Sequence, residues 1–251
     1  MLKTRHFLNL DGAATVETDC LALTRRAVAD IAARRALGVV HGAAGLGKTF
    51  AVETAIDLLG DDWEPVWLAF PSRPTMRLIA VELFASLTGS RPQKDRFGLT
   101  RLIKAELAVH PRMIVVDEAQ NLNRECLEFL RHLGEDDNRR SATLLVGGDG
   151  CWEVLSREPM LRSRIYRRVS FRPLAPEKVL AAVRQYHPLY HDVADDLIVF
   201  VDCYCGHGNF RNWATFTLTA VELCREHGRT TLDEQIARNA FALLGGGVGA
   251  A

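Results

Sequence analysis

The fold is decided by two stretches of the sequence, Gly42-Ala-Ala-Gly-Leu-Gly-Lys-Thr49 and Met113-Ile-Val-Val-Asp-Glu118. The first matches the pattern G-x-x-x-x-G-K-[ST] in full. An apolar run at Leu37–Val40 precedes it, and a helical pattern over Lys48–Leu59 follows it. Because a phosphate-binding loop joins a buried strand to a helix, this context favours the motif over a chance match.

The residue types in this loop fit the binding of ATP with Mg²⁺. Glycines allow backbone N–H groups to converge on phosphate oxygens, and the start of a helix adds favourable partial charge. Lys48 is expected to reach the β- and γ-phosphates, and the Thr49 hydroxyl is expected to bind Mg²⁺. The residues expected to contact the nucleotide from this loop are Gly42, Gly45, Leu46, Gly47, Lys48, Thr49 and Phe50.

The second stretch places two adjacent carboxylates after four apolar residues. A buried strand would bring Asp117 to the sheet edge near the phosphate loop, where it can hold the water shell of Mg²⁺. Glu118 can then orient and deprotonate the attacking water. The alternative is that both acids mark the start of a helix. An upstream phosphate loop favours the catalytic interpretation.

Strand and helix patterns alternate up to about Pro173 and then become helical. Five short apolar runs are predicted as strands: Leu37–Val40, Pro65–Phe70, Met113–Val116, Thr143–Val146 and Val169–Phe171. The pattern predicts an α/β core with a mostly parallel sheet sandwiched by helices. We expect residues 1–172 to form this core with an N-terminal helix, residues 173–245 a helical lid domain, and residues 246–251 a disordered tail.

Composition restricts the class of protein. The 251 residues are 48% hydrophobic and 25% charged, and the formal net charge is zero, as in soluble globular proteins. With no apolar run near the ~18 residues of a membrane helix and no signal-peptide pattern, we expect a cytoplasmic protein without membrane contact. Basic segments at residues 91–112 and 157–172 could bind phosphate, or they could be solvated surface or subunit contacts.

An Asp-Glu pair downstream of a phosphate loop resembles the AAA+ ATPases, and two arginines support the resemblance. Ser163-Arg164-Ile165 looks like the Ser-Arg motif of clamp-loader and initiator ATPases, whose arginine acts as a catalytic finger in the site of a neighbouring subunit. Gly208-Asn-Phe-Arg211 looks like the second sensor, so Arg211 would contact the nucleotide of its own subunit. Three neighbours could replace Arg164 in the finger role: Arg162, Arg167 and Arg168.

One position departs from the AAA+ pattern. Relatives carry a polar first sensor at the tip of the fourth strand, but here the strand ends Val146-Gly147-Gly148-Asp149. Asp149 could substitute, although a further carboxylate would repel the γ-phosphate.

Within AAA+ proteins, the stretches VVDEAQNLNRECLEFLRHL, TLLVGGDG and MLRSRIYRRVSFRPL resemble the Asp-Glu-Ala-Gln group. That group includes ATP-dependent transposition helpers and secretion-linked ATPases. The resemblance to transposition helpers implies a homo-oligomer, as a ring or helical filament, that binds duplex DNA without sequence preference and recruits a transposase. With about twenty residues before the first helix, DNA contacts are expected from the core, at Arg73, Arg77, Lys94, Arg96, Arg101 and Lys104.

Two other functions remain open from the sequence. One is an AAA+ loader or secretion-linked ATPase that acts on protein partners without binding DNA directly. The other is a nucleotide switch without catalysis, which the presence of Lys48, Thr49, Asp117 and Glu118 argues against.

Overall fold

The computed structural model describes residues 10–70, 72–91, 93–135 and 138–245. These residues form two compact units. The core unit contains residues 19–44 and 48–171, and the C-terminal unit contains residues 10–18, 45–47 and 172–245.

The core unit is built on a five-stranded parallel sheet in the order β2-β3-β4-β1-β5. Its strands are β1 (Leu37–Gly42), β2 (Glu64–Ala69), β3 (Arg112–Asp117), β4 (Ser141–Gly147) and β5 (Ile165–Phe171). Since all five run the same way, the carboxyl ends of β1, β3 and β4 lie at one edge of the sheet, where ligands bind in open α/β folds.

Helices cover both faces of this sheet, as the sequence predicts for a parallel sheet. The core helices are α1 (Asp19–Arg34), α2 (Lys48–Asp57), α3 (Met76–Thr88), α4 (Arg96–Leu107), α5 (Arg124–Leu133), α6 (Cys151–Ser156) and α7 (Pro159–Arg162). The predicted α/β class, with a parallel sheet between helices and further helices after it, is therefore confirmed.

Successive side chains of each central strand point to opposite faces of the sheet, so the apolar core has two layers. In β3, Ile114 and Val116 pack with α3 to α7 in one continuous apolar cluster. Met113 and Val115 are equally buried but point the other way. On that face α1 approaches β1 so closely that a Cβ atom at Gly38 would overlap Ile31. Burial on both faces explains why these strands read as continuous apolar runs.

The C-terminal unit has its own apolar core. Its helices are α8 (Pro176–Tyr186), α9 (Asp195–Val201), α10 (Phe210–Glu226) and α11 (Glu234–Leu243). Residues 10–18 pack here: Leu10 and Val16 join this apolar cluster, and the Ala14 N–H donates to Tyr186 O at 2.8 Å. The sequence pattern predicts residues 1–172 as the α/β core, whereas residues 10–18 belong to the C-terminal unit. The predicted tail, residues 246–251, lies outside the described residues.

Two short core helices, α6 and α7, were not predicted. They have six and four residues, too few for helical periodicity to appear in the sequence. No helix among the described residues is long and apolar enough to cross a membrane.

Candidate nucleotide site

The backbone of the phosphate loop adopts conformations that favour glycine. Gly42, Gly45 and Gly47 have φ values of 142°, 82° and 87°, a region that other residues rarely occupy. A Cβ atom at Gly42 would also overlap the carbonyl oxygen of Phe171 on the neighbouring strand. At Gly47 nothing lies within 4 Å of the added Cβ position, so the loop there faces open space.

The charged and polar residues of the loop follow directly, because α2 begins at Lys48. Lys48 Nζ donates hydrogen bonds to Gly42 O at 2.8 Å and to Ala43 O at 2.7 Å. The ammonium group is thus held over the loop. Thr49 is exposed, Phe50 is half-buried and Leu46 is buried at 4% exposure, so a Leu46 contact with nucleotide would be made by its backbone.

Two carboxylates follow at the end of β3 and differ in environment. Asp117 is half-buried, and burial raises the pKa of its carboxyl group against the opposing influence of a hydrogen bond from the Glu118 N–H. That bond is 2.8 Å long, from Glu118 N to Asp117 Oδ1. The Glu118 side chain is exposed, and its backbone is left-handed, with φ 53° and ψ 40°.

These residues fit ATP with Mg²⁺. The open glycine cradle and the Lys48 ammonium suit phosphate oxygens, and the Thr49 hydroxyl and Asp117 carboxylate are the oxygen ligands that Mg²⁺ prefers. Bound Mg²⁺ would offset the cost of keeping Asp117 ionised in a partly buried position.

A contact that the sequence analysis missed joins the ends of β3 and β4. Gln120 Nε2 donates to Glu118 Oε2, and Gln120 Oε1 accepts the N–H of Gly148 at 2.9 Å. Asp149, the predicted substitute for a first sensor, is exposed in the turn after β4. The two partners of Gln120 are 2 and 28 residues away, so sequence spacing carried no sign of the bridge.

The predicted finger arginine, Arg164, lies near the last strand of the core unit. Arg164 precedes β5 and is 57% exposed, and its guanidinium lies 3.4 Å from Glu135, which also pairs with Arg131. The three alternative finger arginines have different contacts. Arg167 pairs with Asp30 at 2.8 Å, and Arg168 stacks over the ring of Trp152 at 4.1 Å. Arg162 is the exposed last residue of α7.

Arg211 lies in the first turn of α10, beside the tip of the phosphate loop within the C-terminal unit. Its N–H donates to Gly45 O at 3.0 Å, and Asn209 Oδ1 caps the helix by accepting from the same N–H at 3.0 Å. A Cβ atom at Gly45 would overlap Asn209 and Arg211. The predicted second sensor is therefore anchored to the loop by its backbone.

The predicted DNA-contacting cations differ in their surroundings. Arg77, Lys94 and Arg96 line a pocket of about 220 Å³ between α3 and α4. On α4, Arg96 pairs with Glu125 at 3.2 Å and Lys104 lies 3.1 Å from His132, so both have partners on α5. Arg73 and Arg101 are exposed.

Comparison with protein-family models finds an AAA domain at residues 31–155. This segment runs from α1 to α6 and contains the phosphate loop, Asp117, Glu118 and Gln120.

The chain is also similar to the Mu-like prophage FluMu DNA transposition protein B of Haemophilus influenzae. The two are 33% identical over 115 residues, which cover 45% of this chain and 38% of the relative. The match thus spans well under half the length of that protein.

Solved structures support the same fold. The Aeropyrum pernix ORC2 protein in its ADPNP–ADP complexes has a TM-score of 0.74 at 16% identity, covering 96% of this chain and 72% of that chain. The Aeropyrum pernix ORC1 protein in complex with DNA has a TM-score of 0.68 at 16% identity, covering 94% and 68%. A model of the AAA domain thus matches residues 31–155, and this chain is similar to a transposition protein B over part of its length.

Proposed function

We propose that this protein is an ATPase whose nucleotide state controls its assembly on duplex DNA and its recruitment of a transposase. The observation that carries the ATPase part is the pair of carboxylates at the end of β3. Asp117 is half-buried and suited to Mg²⁺, whereas Glu118 is exposed and suited to activate water.

The chemistry follows from the residues of the site. Lys48 and the loop N–H groups bind the phosphates of ATP. Thr49 and Asp117 would hold Mg²⁺, which would supply positive charge beside the phosphates. Glu118 accepts a proton from the attacking water as the water oxygen bonds to the γ-phosphorus. The bond between the γ-phosphorus and the bridging oxygen breaks, and ADP leaves. Arg164 of a neighbouring subunit stabilises the charge that develops on the phosphoryl oxygens, and Arg211 contacts the nucleotide within its own subunit.

The assembly part follows from the position of Arg164. An exposed arginine that completes the site of another copy requires head-to-tail contacts, which build rings or helical filaments. The cations on α3 and α4 would contact the DNA backbone in such an assembly, without reading bases. The similarity to a transposition protein B supports DNA and a transposase as partners.

Hydrolysis is tested first with two variants. Glu118→Gln should retain ATP binding and lose turnover by about 10²–10⁴-fold, since it removes general-base catalysis. Arg164→Ala should lose about 10³-fold or more if the arginine acts as a finger. Unchanged turnover in Glu118→Gln would refute the catalytic role of that residue.

A mixing experiment tests whether the finger acts between subunits. Glu118→Gln subunits keep the finger and lack the base, whereas Arg164→Ala subunits keep the base and lack the finger. An equimolar mixture should recover part of the turnover that each variant alone lacks. No recovery, with assembly intact by light scattering, would place Arg164 outside a shared site.

DNA binding is tested with long duplexes of random sequence, with ATP, ADP and no nucleotide, by fluorescence anisotropy and negative-stain microscopy. The proposal predicts ATP-dependent binding that weakens steeply with salt, because phosphate contacts release counterions, with rings or filaments along the DNA. ATP turnover without DNA binding in any nucleotide state would instead favour the alternative of a loader or secretion-linked ATPase acting on protein partners.

A further inference from the structure

We propose that Gln120 is a positioning residue for the catalytic Glu118, and that it takes over the first-sensor position that Gly148 leaves without a side chain. The inference rests on the proposed ATPase function.

The two hydrogen bonds of Gln120 define the orientation of its side-chain amide. A backbone N–H can only donate, so the atom that faces Gly148 N at 2.9 Å must be the oxygen, Oε1. The amide nitrogen then faces Glu118 Oε2 and donates to it. The amide of Gln120 therefore links the Glu118 carboxylate to the backbone at the end of β4.

The two glycines after Val146 make room for this bridge. A Cβ atom at Gly147 would lie 2.7 Å from Gln120 Oε1 and would overlap Cys151 Sγ. A Cβ atom at Gly148 would lie 3.4 Å from Gln120 Nε2, an ordinary van der Waals distance. Gly147 is thus needed for Gln120 to reach the backbone of β4, and Gly148 contributes its N–H.

The backbone on the other side of the bridge is fixed. Residues Ala119–Asn121 form a 3₁₀ turn, in which Asn121 N–H donates to Glu118 O at 2.8 Å. Asn121 Nδ2 ties this turn to the residue after β2 by donating to Phe70 O at 3.0 Å. An exposed glutamate on a fixed backbone still has several rotamers. Gln120 restricts them.

Restricting those rotamers matters because a general base must lie within hydrogen-bonding distance of the water that it activates. Displacement by about 1 Å can cost about 100-fold in rate. The bridge also makes the carboxylate sensitive to any movement of the end of β4, which is the role that a polar side chain would have at Gly148.

The test compares Gln120→Leu with Asn121→Ala. Gln120→Leu is similar in size and loses both hydrogen bonds of the bridge, so kcat should fall about 10- to 100-fold while the Kd for ATP stays within about twofold. Asn121→Ala removes the other side-chain anchor of the same turn without touching Glu118. Asn121→Ala should lower the Tm at least as much as Gln120→Leu does. Its kcat should stay within a few-fold of the wild-type value.

Two further measurements separate positioning from general support of the fold. The Gly148 amide should exchange with deuterium about tenfold faster in Gln120→Leu, and at the wild-type rate in Asn121→Ala. In the Glu118→Gln background, Gln120→Leu should cause little further loss of turnover, because Gln120 acts through Glu118.

The outcomes distinguish this inference from the proposed function. Absence of turnover in the wild-type protein would refute the ATPase itself. Wild-type turnover that depends on Glu118, with kcat unchanged in Gln120→Leu, would overturn the positioning role alone. Equal losses of kcat and Tm in the Gln120 and Asn121 variants would reduce Gln120 to a structural residue.

Discussion

The carboxyl ends of β1 and β3 lie at the same edge of the sheet but are built in different ways. After β1, the loop relies on its backbone: glycines with positive φ at Gly42, Gly45 and Gly47 shape a cradle of N–H groups. After β3, the site relies on side chains, with Asp117, Glu118 and Gln120 joined by hydrogen bonds. The difference suggests that binding of phosphate tolerates few backbone changes, whereas hydrolysis depends on side-chain geometry.

The largest effect should come from Lys48, the cationic side chain of the loop after β1. Lys48→Ala removes the cation that faces the β- and γ-phosphates and should weaken ATP binding by about 100-fold or more, since charge-assisted hydrogen bonds contribute about 1.5–3 kcal/mol each. Isothermal titration calorimetry measures the affinity. Micromolar affinity in the variant would show that the loop backbone binds phosphate alone.

The next effect concerns Mg²⁺ at the β3 end. At 100 times its Kd, a ligand stabilises a protein by about 2.7 kcal/mol, and Asp117→Asn should lose most of the stabilisation that ATP with Mg²⁺ gives. Thermal unfolding of the variant and the wild type in ATP, with and without Mg²⁺, measures this stabilisation. Equal stabilisation of the variant and the wild type by ATP with Mg²⁺ would remove Asp117 from the metal site.

The same variant should be more stable than the wild type without nucleotide at neutral pH. Burial raises the folded-state pKa of Asp117 above its unfolded value, so the folded protein is stabilised by protonation. That stabilisation is complete below the unfolded pKa and is lost as pH rises through the folded pKa. The Tm difference between Asp117→Asn and wild type should therefore shrink as pH falls. A difference independent of pH would contradict this assignment.

A backbone test of the β1 end compares two glycines with positive φ. Gly42→Ala combines backbone strain with overlap against Phe171, and should cost about 2 kcal/mol or more of stability as well as ATP affinity. Gly60 also has a positive φ, of 80°, but a Cβ atom there meets nothing within 4 Å. Urea unfolding should find a cost of about 1 kcal/mol there. Equal costs would mean that the Phe171 contact is unimportant.

The smallest expected effect concerns the ion pair of the predicted finger arginine, Arg164, with Glu135. Glu135→Gln removes an exposed ion pair with Arg164, and should change the free energy of unfolding by less than about 1 kcal/mol. It should also free Arg164 to enter a neighbouring site. The subunit concentration at half-maximal turnover should then fall, because less of the binding free energy is used to break the pair.

Glu128→Gln is the matched control. Glu128 lies on α5, close in the chain to Glu135, and pairs with Arg124 at 3.0 Å, but Arg164 does not belong to that pair. The same shift in concentration dependence for both variants would show that surface charge alone is responsible.

The contrast between the strand ends also explains what the sequence could predict. The phosphate loop is contiguous, so its motif, its strand and its helix could all be located from residues 37–59. Asp117 and Glu118 follow a clear apolar run. Gln120 was visible in the same stretch, but its role depends on Gly148, which only the pairing of β3 with β4 brings near.

Two other features could not be predicted from the sequence for similar reasons. The contact of Arg164 with Glu135 joins the turn after α5 to the segment before β5, and no periodicity relates those positions. Residues 10–18 precede α1, so the sequence order predicts them in the core, whereas Leu10 and Val16 pack on the C-terminal helices. Sequence adjacency indicated the wrong unit because a short irregular segment carries no periodic apolar pattern.

The left-handed backbone of Glu118 has a consequence for engineering. A non-glycine residue in this conformation costs about 1–2 kcal/mol, and glycine would adopt it without that cost. Random mutagenesis screened only for heat resistance would therefore tend to enrich glycine at position 118. Such a screen would select well-folded proteins that have lost their reactive group, so any directed evolution of this chain needs a turnover assay in every round.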